Sequence, residues 1–354
     1  MNPMHCSPHA HGARPVGRVM QLVMLALTPA TLAGFWLFGY PALYLWCVTV
    51  LACVAAEAVC LHFAARPTAP ALGDGSAILT GWLLALSLPP WAPWWIGALG
   101  GAFAIIVAKH AFGGLGQNLF NPAMAARVML LISFPVEMTQ WLAPQPLAID
   151  PANAWSALAV TFGAGMPDAV SSASLLGHVK TEASRGLSLA QSLPAQWNAL
   201  TAGFGSRAGS LGETGAWLVA AGGVFLVLQR VIGLRIPVAF LAGVALPAVV
   251  ASTLAPDHYL PASVHLLSGG VVLAAFFIAT DYVTSPSTPS GQWIFGLVGG
   301  LLTWLIRTWG AFPEGVAFAV LLMNAATPLI DRVTRPRIYG RQRNGRSLGA
   351  ARNG

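Results

Sequence analysis

Ten apolar stretches, most of them long enough to cross a bilayer as a helix, dominate the sequence and restrict what it can fold into. Short polar connections separate them, apart from one long polar segment at residues 144–213. Only 8% of the 354 residues are charged, whereas soluble domains average about 25%. We therefore expect an all-α polytopic membrane protein. The stretches cover residues 18–39, 41–64, 75–90, 92–112, 122–143, 214–231, 236–254, 263–281, 291–308 and 314–331.

The polar segment divides the chain into two halves of five spans each. We predict a first membrane repeat with a short N-terminal tail at 1–143, a loop at 144–213, a second repeat at 214–331 and a basic tail at 332–354. Because each half has an odd number of spans, the halves would have opposite orientations, as in inverted repeats. The string GALGGAF at 97–103 resembles GLVGGLL at 296–302. Chance similarity between glycine-rich membrane helices is the alternative.

The basic residues predict the orientation. With the N-terminus inside, the outer segments carry four of the 18 Lys and Arg residues, namely Lys180, Arg185, Arg207 and Arg307. The other basic residues lie in inner connections and tails, as the positive-inside rule requires. Both termini are then cytoplasmic and the 144–213 loop is periplasmic. The net charge of +7 has this cause, and it does not indicate nucleic-acid binding.

A few polar residues lie where lipid is expected. Glu57 falls inside the second span and Asp281 ends the eighth, and intramembrane acids are candidates for an ion path. Pairing of Glu57 with a basic residue of a partner protein, and simple solvation of Asp281 at a helix end, are the alternatives. The glycine-rich run 113–121 contains Asn118 and Asn121. It lacks the features of a P-loop, so it predicts either a plain connector or amide donors that line a flavin or a contact with another protein.

Hydroxyl groups are concentrated near the middle of the polar segment. Asp168 is followed by Ser171, Ser172 and Ser174. A serine-rich surface turn explains this pattern. The more specific hypothesis is covalent attachment of a phosphate-bearing cofactor, because a serine hydroxyl can be esterified and a nearby carboxylate can assist.

Several long strings resemble one known family over nearly the whole chain. They are LPPWAPWW at 88–95, GGLGQNLFNPA at 113–123, FFIATDYVT at 276–284, FPEGVAFAVLLMN at 312–324 and PLID at 328–331. The chain resembles the RnfD proteins of the Rnf electron-transport complex and, more distantly, the NqrB proteins of the sodium-pumping NADH:quinone reductase.

The resemblance implies a flavoprotein. In this family a threonine of an outer-loop motif carries FMN through a phosphoester bond, and the motif residues correspond here to Asp168, Ser171, Ala173 and the acceptor Ser174. Ala169 replaces the usual glycine and Ser174 replaces the threonine, but serine keeps the nucleophilic oxygen. The resemblance leaves open whether a second, non-covalent flavin is present.

The resemblance also implies partners. The chain would belong to an inner-membrane complex that couples electron flow between ferredoxin and NAD to ion movement. Its partners would be Rnf subunits of the A, B, C, E and G types, a flavin transferase that acts in maturation, and the lipid bilayer. No residue indicates a catalytic, NAD or metal site, so the nicotinamide chemistry is expected on a partner protein. A channel or secondary transporter without a redox cofactor is one alternative, and a membrane anchor that has lost its flavin is another.

Overall fold

The computed structural model describes residues 15–144, 154–163, 174–185, 199–205, 208–312 and 314–335. Within these ranges the regular structure is helical, as predicted. The α-helices are α1 (Val16–Phe38), α2 (Tyr40–Phe63), α3 (Thr68–Leu72), α4 (Ser76–Ser87), α5 (Trp94–Ile106), α6 (Pro122–Ser133), α7 (Pro135–Thr139), α8 (Ala154–Phe162), α9 (Leu175–Ser184), α10 (Ala199–Gly203), α11 (Leu211–Thr214), α12 (Ala216–Leu228), α13 (Arg235–Leu254), α14 (Ala262–Leu267), α15 (Val271–Leu273), α16 (Pro289–Trp309) and α17 (Val316–Val333). A π-helical turn, Ala274–Ile278, continues α15.

Each of the ten predicted spans contains a helix, but the count of ten crossings is not confirmed. Among the described residues, five helical stretches are long and apolar enough to cross a membrane, namely Val16–Phe38, Tyr40–Phe63, Trp94–Phe112, Arg235–Leu254 and Val316–Val333. Three further apolar helices, α4, α6 and α12, are shorter. Large apolar side chains such as Leu51 and Leu246 are exposed, as expected for helices that face lipid. The chain is therefore a polytopic membrane protein.

Two predicted spans are interrupted. The stretch expected at 122–143 ends as a helix at Ser133, because Phe134 leaves the helical conformation and α7 begins after it. The stretch expected at 263–281 breaks between α14 and α15, at residues 268–270. Gly269 has φ +68°, and an added Cβ there would overlap the guanidinium of Arg307. Glycine is therefore required by both the backbone and the neighbouring side chain.

Two helices that begin at connectors have side-chain caps. The side chain of Asn121 accepts a hydrogen bond from the backbone N–H of Met124 at 3.2 Å, and Pro122 is the first residue of α6. Thr288 caps α16 in the same way and is followed by Pro289. Proline suits the first helical position because its missing N–H would have no helical partner there. Asn121-Pro122 therefore begins a helix.

The two halves use equivalent glycines for close helix packing. In the first half, a Cβ added to Gly97 of α5 would lie 2.9 Å from the Leu45 side chain of α2. A Cβ added to Gly101 of α5 would lie 3.0 Å from the Thr49 carbonyl of α2. In the second half, a Cβ added to Gly296 of α16 would lie 2.8 Å from the Ile236 carbonyl of α13. The glycine strings that suggested a repeat thus pack the corresponding pair of helices in each half.

The ends of the long helices lie on two opposite faces of the protein. On one face, the hydroxyl of Tyr44 near the start of α2 donates to the Ala154 carbonyl, 3.4 Å away in the long connector. We call this the loop face. On the other, Arg66 after α2 contacts the Gly113 carbonyl, and Asp331 near the end of α17 accepts from the Ser287 N–H. We call this the terminal face, since residues 15 and 335 lie there.

Candidate functional site

Ser174 lies on the loop face, at the N-terminus of α9. Its hydroxyl accepts a hydrogen bond from the Gly177 N–H at 3.2 Å, and its side chain is buried. The first turn of a helix presents unpaired N–H groups and a positive dipole end, which favour a negatively charged group such as a phosphate ester. The other predicted motif residues, Asp168, Ser171 and Ala173, lie outside the described part of the chain.

Helix α9 is held against the second half of the protein. The ammonium group of Lys180 donates to the carbonyls of Arg307, at 3.1 Å, and Gly310. These carbonyls lie at the C-terminal end of α16, where the helix dipole favours a cation. Burial lowers the pKa of Lys180. Leu176 and Val179 are also buried, so the docking of α9 determines where Ser174 lies.

Ser174 lines a small cavity that also contains two acidic residues. The cavity has a volume of about 20 Å³, and Glu213 and Glu314 line it together with Gly269. Glu314 pairs with the buried Arg127, and the carboxylate of Glu213 accepts a hydrogen bond from the Ser210 N–H at 3.3 Å. Sequence reasoning did not select these acids as site residues. Glu314 lay within one of the strings that carried the resemblance, and an acid beside an apolar span is itself a signal of function.

The cavity beside Ser174 is too small to hold a flavin. A volume of about 20 Å³ is close to that of one water molecule, so an isoalloxazine ring does not fit inside. The ring of an attached FMN would therefore lie outside this cavity. The hydroxyl at the N-terminus of α9 is compatible with the attachment itself.

Asn118, Asn121 and Asp281 come together on the terminal face. All three line a cavity of about 450 Å³ whose walls are otherwise mostly apolar. The side-chain amide of Asn121 lies 3.5 Å from a carboxylate oxygen of Asp281, and its backbone N–H donates to Asn324 at 3.1 Å. Asn118 donates to the Phe120 carbonyl. A mostly apolar cavity of this size with a few convergent polar groups is typical of a small-molecule site.

Glu57 connects to the same cavity through a buried ion pair. Its carboxylate accepts from Lys109 at 2.7 Å and lies 3.2 Å from His110. Lys109 also donates to Ser76 at 2.8 Å, and both Lys109 and Ser76 line the cavity. The basic partner of Glu57 therefore comes from the same chain, an arrangement that the sequence-based alternatives did not include.

Comparison with known proteins identifies the family. The model of the NQR2, RnfD, RnfE family matches residues 3–340. The chain belongs to this family.

Individual relatives are similar to the chain from end to end. Each of them is named as the D-type component of an ion-translocating oxidoreductase complex. The relative from Halorhodospira halophila shares 48% identity, with all of both chains covered, and the one from Stutzerimonas stutzeri shares 51%, with 95% of this chain and 96% of the relative covered. The relative from Escherichia fergusonii shares 44%, over 95% of this chain and 98% of its own length. These names place the relatives in a multi-subunit oxidoreductase.

Proposed function

We propose that the chain is the membrane flavoprotein component of an ion-translocating electron-transport complex, with FMN joined to Ser174 by a phosphoester bond. The observation that carries this proposal is the position of Ser174, a hydroxyl at a helix N-terminus on the loop face of a protein whose relatives are oxidoreductase components. The complex would couple ferredoxin and NAD electron transfer to ion movement across the inner membrane, with the loop face periplasmic. Bound FMN would supply the redox chemistry.

The chain's own residues would hold and orient this cofactor. The Ser174 oxygen would carry the phosphate, and the first turn of α9 would stabilise its charge. Lys180 and the buried Leu176 would keep α9 docked, so that the attachment point stays fixed relative to the membrane helices. The Ser174 hydroxyl is nearly inaccessible when α9 is docked, so the flavin transferase would act before docking.

The cavity on the terminal face supports the second, non-covalent flavin. Its volume of about 450 Å³ lies in the range of small-molecule sites, and Asn118, Asn121 and Asp281 offer hydrogen-bonding groups along an otherwise apolar wall. Flavins on opposite faces would allow electrons to cross the membrane region through partner proteins of the Rnf A, B, C, E and G types.

Substitution of Ser174 tests the attachment. In cells that also express a flavin transferase, Ser174→Ala is expected to abolish covalent flavin, because no oxygen nucleophile remains. Ser174→Thr is expected to retain it. Ser171→Ala and Ser172→Ala are matched controls that keep the acceptor. The measurement is the mass of the peptide that contains residues 168–176.

The same samples also test the second flavin and the alternatives of a transporter or a membrane anchor that carries no flavin. Acid denaturation of the Ser174→Ala protein is expected to release free flavin from the cavity on the terminal face. An unmodified wild-type peptide, or FMN mass on Ser171 or Ser172, would contradict the attachment at Ser174. Absence of both covalent and released flavin would favour a transporter or a membrane anchor.

A further inference from the structure

A second polar cavity lies on the loop face, on the other side of Leu176 from Ser174. It has a volume of about 90 Å³ and lies between α9, the start of α14 and the end of α16. Its polar lining comes from two cations, two histidines, a tyrosine and a threonine, namely Lys180, Arg307, His258, His265, Tyr259 and Thr308. No acidic side chain lines it among the described residues, so the groups that face the cavity carry positive charge or are neutral.

Arg307 is buried without a direct carboxylate partner in the described chain. Its two terminal nitrogens donate to the backbone carbonyls of His265, at 2.6 Å, and Ser268, at 2.9 Å, while its Nε has no hydrogen-bond partner among the residues that the structure describes. Buried charges are normally paired, because an unpaired charge in a low-dielectric environment is costly. The acids Glu213 and Glu314 are near enough to stabilise its charge, but neither lines this cavity.

Other donors converge on the same space. His265 is buried, and its Nδ1 has no partner among the described residues. The ammonium group of Lys180 has three N–H donors, and two of them bind the carbonyls of Arg307 and Gly310. One Lys180 donor, the Arg307 Nε–H and a His265 Nδ1–H can therefore serve a ligand with several acceptor oxygens. A single water or halide is too small to fill a cavity of this volume, whereas a tetrahedral oxyanion is of a suitable size.

Aromatic residues beside the cavity place it at a membrane interface. Tyr259 packs edge-to-face on Trp309 at 6.4 Å, and Trp309 packs on Trp304 at 5.1 Å. Trp309 is 62% exposed at the end of α16. Tryptophan and tyrosine are enriched at the headgroup level of bilayers, where phosphate groups are abundant. His258 is exposed at the entrance.

We propose that this cavity binds a phosphate group, supplied by the headgroup of an anionic phospholipid in the leaflet at the loop face. Arg307 and Lys180 provide the charge, His258 and His265 provide further hydrogen bonds, and the Tyr259–Trp309 pair faces the acyl-chain boundary. A lipid held here would bridge α9 and α16, the two helices whose contact positions Ser174.

Binding of defined ligands tests this site. The full chain, purified without coexpressed flavin transferase, would be titrated with palmitoyl-oleoyl-phosphatidylglycerol and analysed by native mass spectrometry. Thermal unfolding would be measured in parallel with inorganic phosphate. Lys180→Gln and His258→Gln are each expected to weaken lipid binding about tenfold, the loss typical of one charge-assisted hydrogen bond. His258→Gln is needed because Lys180 also docks α9.

Arg185→Gln is the matched control. It removes a charge from the same helix region, but Arg185 is exposed and pairs with Glu182 at 3.0 Å, and it does not line the cavity. Lipid binding that weakens in the two cavity variants alone would support a headgroup site. A thermal shift by phosphate that is lost in the same variants, without a change in lipid binding, would support a phosphate site while contradicting the lipid as its source. Equal effects in all three variants, or no binding of either ligand, would overturn the proposal.

Discussion

At the scale of single residues, buried ions on the two faces show how polar groups are accommodated among apolar helices. Lys109 and Arg307 each follow the glycine string of their half, and both are buried. Lys109 binds the carboxylate of Glu57 and the hydroxyl of Ser76, whereas Arg307 binds backbone carbonyls at the broken helix α14–α15. Each cation thus joins its own helix to the third span of its half.

The ion pair on the terminal face yields a prediction about Glu57. Glu57→Gln leaves Lys109 buried without a carboxylate, and breaking a buried pair in this way costs about 3–5 kcal/mol. We expect a clear loss of thermal stability in detergent. Replacing both partners, by Glu57→Gln with Lys109→Met, is expected to restore most of it, since no unpaired charge remains.

Ion transport by the assembled complex distinguishes a purely structural role of Glu57 from a role in an ion path. If the stable double variant transports ions at the wild-type rate per electron, Glu57 serves structure alone and the ion-path proposal fails. A stable double variant with reduced transport per electron supports the path. Stability that stays low in the double variant would contradict the stabilising role of the pair.

At the scale of helices, glycine determines how closely α13 and α16 approach. A Cβ added to Gly300 would lie 2.9 Å from the Cα of Gly243, and closer still to the Phe240 carbonyl. These are backbone atoms, which cannot move aside as a flexible side chain can. Gly300→Ala is therefore expected to destabilise the protein by about 1–3 kcal/mol, the usual effect of overpacking.

The matched control for Gly300 is Gly233→Ala. An added Cβ at Gly233 has no neighbouring atom within 4 Å, so we expect an unchanged unfolding temperature. The comparison is made by thermal unfolding of both variants in the same detergent. Equal unfolding temperatures for Gly300→Ala and the wild type would mean that α13 and α16 are not in the close contact described.

At the scale of the whole molecule, the two faces differ in chemistry. The loop face carries Ser174 with its acidic cavity and the cationic cavity around Arg307, whereas the terminal face carries the large cavity with Asn121 and Asp281. A protein that passes electrons across a membrane needs distinct sites on its two sides. This arrangement therefore suits the proposed role of a flavoprotein with one flavin on each face.

The orientation in the membrane can be tested with introduced cysteines in a chain whose native cysteines are replaced. The basic-residue bias predicts that the loop face is outside. Arg185→Cys, at an exposed position after α9, is expected to react with an impermeant thiol reagent in intact cells, whereas Thr68→Cys on the terminal face is expected to react only after lysis. The reverse labelling pattern would contradict both the orientation and a periplasmic flavin.

The sequence by itself was sufficient for the membrane class, the all-helical fold and the family. Apolar stretches report burial in lipid directly, because each backbone segment in a bilayer must satisfy its own hydrogen bonds within a helix. The glycine strings indicated a possible repeat, and the structure showed which helix each string packs against. The polar candidates were recognisable one at a time, since Glu57, Asn121, Asp281 and Ser174 each stand out from apolar or connecting sequence.

Only the tertiary structure decided which of these residues meet. Glu57 and Lys109 are 52 positions apart, and Asn121 and Asp281 are 160 apart, so no local pattern could pair them. The sequence also did not reveal the helix breaks at Phe134 and Gly269. The apolar sequence continues across both positions, although the helical conformation stops there. The small cavity at Ser174 depends on Glu213, at the far end of the same polar segment, and on Glu314, between α16 and α17. The sequence therefore determined what enters the membrane, and the long-range packing of helices determined where the polar groups converge.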